Sequence, residues 1–262
     1  MAITVSLDDH LTRLEDSAKD LVADAVEAGL DSAVPTCPDW TVADLLGHQG
    51  MVHRWATAIV AGALPSVDLP PELDAATTPP ADTATLVDWF TTGAADLLDA
   101  LRRAPDDLAA AVFLHASPAP RRFWARRQAH ETTIHRVDAL GAKLGRFPTT
   151  AEVGIGPELA VDGIDELVVG FINRRSSRLR SDEPVSVLIA PSDADTAWTV
   201  RISADTPVTT IGADPDHPAD AVLTGTAAAL YLGLWNRGDD IAMTGDVDVL
   251  GLWRDKVRVT WS

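Results

Sequence analysis

The sequence predicts an α+β protein: a four-helix bundle over residues 1–150, then a small α+β domain over 151–262. Two observations lead there. Four long helical stretches fill the first half, and after Pro148 the pattern breaks into short runs separated by turn residues. The first stripe, over 7–29, carries Leu11, Leu14, Ala18, Leu21, Val22 and Ala25. The second, over 41–62, opens with Thr41 and Asp44 at capping-box spacing, with Val42, Leu45, Leu46, Val52 and Trp55 as its apolar faces. A proline-rich loop from Pro65 to Pro80 precedes a third helix over 83–103, built on Leu86, Phe90, Ala94, Leu97 and Leu101. The fourth spans 121–144 and stops near Gly145. Long connections between such helices imply a bundle with crossovers. Beyond Pro148 the order reads helix 157–177, strands 185–189, 198–203 and 208–211, helix 225–235, strand 241–243, helix 246–252 and strand 257–260. Strands without regular βαβ alternation point to an α+β unit.

Composition narrows the function classes. Hydrophobic residues make up 46% and charged residues 23%, a globular balance. Asp plus Glu is 39 against 21 for Lys plus Arg, a net charge of −18 that repels phosphate backbones and anionic membranes. Neither nucleic acid nor a membrane is therefore an expected partner. The opening MAITVSLDDH has no basic segment followed by an apolar run, and no stretch has the apolar length of a membrane span. A cytoplasmic protein is expected. Cys37 is the single cysteine, which excludes an internal disulfide and a cysteine-rich zinc site.

The segment carrying most chemistry is Arg126-Arg127-Gln128-Ala129-His130-Glu131-Thr132-Thr133-Ile134-His135-Arg136-Val137-Asp138. Glu131 and His135 are four apart on a helix, so both project from one face, a turn apart. A carboxylate oxygen and an imidazole nitrogen there can reach one ion, or simply pair with each other. A third ligand has to come from another helix, and His48, among Leu45, Leu46 and Val52, is a candidate. Two histidines and one glutamate suit catalytic zinc with a position left open, or Fe(II) with more. His10, His53, His115, His130 and His217 show no comparable spacing and read as structural. Asp138, seven after Glu131, shares its face and is placed either to orient His135 or to form a packing salt bridge.

Cys37-Pro38-Asp39-Trp40-Thr41-Val42-Ala43-Asp44-Leu45-Leu46-Gly47-His48 and the Arg126–Asp138 segment together resemble the mycothiol-dependent maleylpyruvate isomerase family, whose first domain is a DinB-like metal-binding bundle. Its second domain resembles sterol carrier folds, and Ala229 to Asp239 with Gly245-Asp246 is similar to that domain's tail. The resemblance implies Zn2+ held by His48, Glu131 and His135. It also implies mycothiol, an actinobacterial thiol, as cofactor, and a catalytic arginine that best matches Arg237. Asn236 departs from the small residue expected beside it.

Zinc with an open position lowers the pKa of a bound thiol. A thiolate adding to a carbon conjugated to a carbonyl lets the former double bond rotate before the thiol leaves, or leaves a stable adduct. The resemblance thus implies a cis–trans isomerase or an S-transferase acting on a small electrophile. A cation has to steady the developing carboxylate or enolate. Arg237 is the first candidate for it, with Arg126 and Arg127 next, unless those two serve as ion-pairing charges on the surface of an acidic protein. Cys37, before Pro38, reads as a structural thiol. Two other readings share the same residues: a ligand-binding or lipid-binding protein with a structural metal, and a thiol-independent metal-assisted hydrolase.

Overall fold

The computed structural model describes residues 5–214 and 216–257, which divide into two compact units. The first comprises Ser6–Phe113 and Ser117–Pro148. Helix α1 (Leu7–Ala28) starts at a capping box in which Ser6 and Asp9 satisfy each other's backbone donors. A short antiparallel pair follows, β1 (Ala33–Val34) with β2 (Cys37–Thr41). Thr41 then caps α2 (Val42–Gly62): its hydroxyl accepts from Asp44 N while the Asp44 carboxylate accepts from Thr41 N at 2.8 Å. A cap of this kind contributes about 1 kcal/mol and fixes where the helix begins. The proline-rich connection is not a bare loop. It holds a one-turn helix, α3 (Pro71–Asp74), and 3₁₀ turns at Ala75–Thr77 and Thr83–Thr85, so α4 (Leu86–Arg103) begins later than the apolar stripe predicts. Helix α5 (Pro120–Leu144) has proline in its first turn and ends at Gly145, whose φ of 66° is the left-handed value glycine accepts readily.

Helix α1 packs along α5, and α2 along α4 and α5. The core between them joins Leu21, Ala25, Leu45, Leu46, Phe90 and Ala139. Gly50 is what lets α2 and α4 approach so closely: a Cβ there would fall 2.3 Å from the Trp89 ring. Arg54 in turn spreads its guanidinium over Trp89, 3.8 Å from the ring centroid, and donates to the Trp89 carbonyl.

The second unit takes in residues 149–257 with Leu114–Ala116 and Val5. After α6 (Thr150–Val153) and α7 (Pro157–Asp165), the chain loosens into a π-helical turn over Glu166–Phe171, where one continuous helix to residue 177 is predicted. A five-stranded sheet follows, in order β5-β4-β3-β6-β7. Its strands are β3 (Val185–Pro191), β4 (Trp198–Ile202), β5 (Val208–Ile211), β6 (Ala221–Gly225) and β7 (Ala242–Gly245). Only the β3–β6 pairing is parallel. Alternation on β3 buries Val185, Val187 and Ile189 on one face. Strand β6 is not anticipated by the sequence reading: its place comes from pairing with β3 and β7. Helix α8 (Ala227–Leu234) is buried throughout, and α9 (Val249–Lys256) starts three residues later than the predicted helix. The strand expected over 257–260 falls largely outside the described residues. No described helix is long and apolar enough to cross a membrane.

One buried histidine in the first unit bears directly on its stability. His53 is fully buried on α2, and its imidazole is pushed down to about 3, by burial above all, against the pull of Glu131 and with Arg54, His135 and His48 also opposing its charge. The unfolded chain takes up a proton near the ordinary value of 6.5, and the folded chain does not. Stability is therefore complete above that value and falls as the pH drops from 6.5 towards 3, by roughly 1–1.5 kcal/mol per pH unit from this group. Urea unfolding of metal-free protein across the mildly acidic range is expected to show that slope, and His53→Gln is expected to flatten it. An equal slope in both proteins contradicts the assignment.

Candidate metal centre

Helices α2 and α5 run antiparallel, which sets His48 against His135 with ring centroids 5.0 Å apart. One turn before His135, Glu131 points into the same space. Its Oε1 lies 3.4 Å from His135 Nε2 and 3.7 Å from His48 Nε2. All three side chains are less than a tenth exposed. The three ligand atoms lie within 4.8 Å of one another, and among the described residues no fourth His, Cys, Asp or Glu joins that group.

The spacing fits an ion better than direct pairing. Two ligands each about 2.0–2.1 Å from a tetrahedral zinc lie about 3.4 Å apart, whereas a good N–H···O bond is nearer 2.9 Å. The neighbours fit as well. Asp138, fully buried, takes His135 Nδ1 at 2.8 Å, so the ring presents Nε2 towards Glu131. Asp138 is itself held by the Thr36 hydroxyl and by the Cys37 thiol, whose Sγ is 3.8 Å from Oδ2. The β1–β2 turn supplies both of these donors. Trp40, at the end of β2, lays its indole against the imidazoles, 4.9 Å from His48 and 6.0 Å from His135, while also packing on the core that holds Leu45.

Charge is arranged around Glu131. Burial pushes its carboxyl up, but Arg127 and the facing imidazoles of His135 and His48 hold it well below the usual carboxylate range. It is therefore an anion. Arg127, 1% exposed and a turn earlier on α5, hydrogen-bonds Oε2 and leaves Oε1 facing the histidines. Burial lowers the pKa of His48, which keeps its ring neutral against the pull of Glu131. Burial also disfavours charge on His135, yet Asp138 and Glu131 outweigh it and draw the pKa up. Two carboxylates thus attract positive charge to this point, from a proton or a metal ion.

The candidate arginines fall in different places. Arg127 is an interior residue engaged with Glu131, and its charge does not lie on the surface. Arg126 is half-buried on the same helix. Arg237 belongs to the second unit, just after α8, where its backbone N–H donates to Leu232 O at 2.7 Å and its Nη1 to Trp235 O at 2.8 Å. Asn236 adopts φ 60°, the left-handed conformation that asparagine tolerates, and this accounts for its standing where a small residue is expected. Sequence reading missed Trp40 and Thr36 as wall and support. It also missed the Arg127–Glu131 pairing, although their i, i+4 spacing carries that signal. An apolar groove of about 400 Å³ between α1 and α4, lined by Ala18, Val22, Phe90 and Leu98, shares no residue with the metal group.

Arg127→Met is expected to leave Glu131 as an uncompensated buried charge and to cost the metal-free protein about 3–5 kcal/mol in urea unfolding. A loss below about 1 kcal/mol, the worth of an exposed pair, shows that the pair is not buried as described.

Comparison with known proteins bears on both units. Residues 11–140 match the family described as mycothiol maleylpyruvate isomerase N-terminal domain, and residues 158–252 match the companion C-terminal domain. No curated protein matches the chain. Among solved structures, the crystal structure of a mycothiol-dependent maleylpyruvate isomerase is similar at a TM-score of 0.62 and 16% identity, covering 93% of this chain and 95% of that one. The same values hold for a histidine-to-alanine mutant of a mycothiol-dependent maleylpyruvate isomerase. At that identity the likeness speaks for the fold. With both domains matched in order over most of its length, the chain belongs to the mycothiol maleylpyruvate isomerase family.

Proposed function

We propose that this chain is a mycothiol-dependent metalloenzyme, acting on a small electrophile as a maleylpyruvate-type cis–trans isomerase or as a thiol S-transferase. The observation that carries this reading is the buried group of three ligands, His48, Glu131 and His135, without a fourth among the described residues. Three protein ligands are the mark of a catalytic zinc site, and four of a structural one. That supports catalysis over a ligand-binding protein with a structural metal.

Held by His48, Glu131 and His135, a zinc ion would lower the pKa of a bound thiol and so supply a thiolate at neutral pH. The chain's own residues do the holding. Asp138 keeps the His135 ring oriented with Nε2 towards the site. Arg127 fixes one oxygen of Glu131, so the other stays directed at the histidines. The Trp40 indole covers the imidazoles and excludes water from that side. Arg127 is engaged with Glu131, so the candidates for steadying a substrate carboxylate or enolate are Arg237 and Arg126. The cytoplasmic setting expected from the sequence is one in which a free low-molecular-weight thiol is available.

Two measurements test the reading. Elemental analysis of purified protein is expected to find about one zinc per chain, and His48→Ala to lose most of it. Stoichiometric metal retained by His48→Ala refutes the ligand set. Turnover of α,β-unsaturated carbonyl acids is expected to need mycothiol and to stop when it is omitted. Equal rates with and without thiol favour metal-assisted hydrolysis or another thiol-free reaction.

A further inference from the structure

Beside the candidate ligands, three side chains that the proposed mechanism leaves unused form a triangle of close polar contacts. The Gln49 amide donates to Thr132 Oγ1 at 3.1 Å, and Thr132 Oγ1 lies 2.9 Å from His53 Nε2; Gln49 Nε2 is also 2.9 Å from that nitrogen, whose one bonding position serves a single partner at a time. All three residues are 0% exposed. Two of them are immediate chain neighbours of metal ligands, Gln49 of His48 on α2 and Thr132 of Glu131 on α5. The triangle therefore ties the two helices together at the level where each delivers a ligand.

We propose that Gln49, His53 and Thr132 are positioning residues that set the separation and register of α2 and α5, and so hold His48 at the correct reach from Glu131 and His135. This rests on the metal reading of that site. The ligands alone are poor spacers, because His48 Nε2 is 3.7 Å from Glu131 Oε1, longer than a hydrogen bond that would fix the distance. The aromatic contact on the far side, Trp55 against Trp124 at 4.9 Å, is apolar packing, which tolerates small slides. The triangle differs in kind. Its bonds are directional and lie in a low-dielectric interior, where a lost partner leaves a buried polar group unsatisfied. A shift of about one ångström between the helices would break these contacts, and the same shift would carry His48 out of reach of an ion held by Glu131 and His135.

The test is zinc affinity by chelator competition, read beside the thermal unfolding of metal-free protein. Thr132→Val keeps the side-chain shape and removes the hydroxyl. It is expected to weaken zinc binding by about 10–100-fold, the usual loss when a ligand's support is removed. Thr132→Ser, which restores the hydroxyl, is expected to recover most of that loss. If Thr132→Val does not fold, Gln49→Met, which keeps the length and loses the amide, carries the same expectation. A triangle that merely stabilised the bundle would lower the melting temperature and leave the affinity of folded protein within about threefold of wild type, and that result overturns the proposal. A wild-type protein that binds no zinc overturns the metal reading itself.

Discussion

The charge on Glu131 is the constraint from which much of the first unit follows. A carboxylate with so little exposure costs several kcal/mol to desolvate unless every direction around it is answered. Here one oxygen is answered by Arg127 and the other by two imidazoles. Those partners then need partners of their own. Asp138 serves His135, and Thr36 and Cys37 serve Asp138. The polar chain runs outward from one acid until it reaches the β1–β2 turn, so the hairpin ahead of α2 is part of the site.

This requirement explains the unusual character of α5. The helix is buried nearly all round, as a core helix would be, yet Arg127, Gln128, His130, Glu131, Thr132, Thr133, His135 and Asp138 all point inward. An apolar helix in this place would pack with less risk. On the opposite side from the metal group, the Ser17 and Thr133 hydroxyls meet at 3.0 Å and so add a polar tie to the α1 packing. A helix that carries so much polarity in its interior has given up easy packing for directed geometry, which is what ligand positioning demands.

The helical half was legible because long apolar stripes over α1, α2 and α4 leave little choice of period, and because the Thr41–Asp44 box and Gly145 mark ends that the structure reproduces. The second half was less so. Strand β6 owes its place to pairing with β3 and β7, and the π-turn after α7 reflects tertiary packing, neither of which a local pattern carries. At the site, spacing alone yields Glu131 with His135 on one face. The partner on α2 needs knowledge of which helices adjoin, and the family resemblance stood in for that. The triangle of Gln49, His53 and Thr132 was invisible for the same reason: 79 residues separate His53 from Thr132.

The placement of Cys37 bears on where the thiol in this chemistry comes from. Its sulfur donates to Asp138, and Asp138 grips the Nδ1 side of His135, while the ligand face of that ring is Nε2. The chain's single thiol thus stands behind a ligand and works as a donor to a carboxylate. It does not join the metal group of His48, Glu131 and His135. On the proposed reading of three protein ligands, with Cys37 turned to support, the reacting sulfur comes from an external thiol. That reading accords with the family to which both domains belong, whose description carries such a thiol.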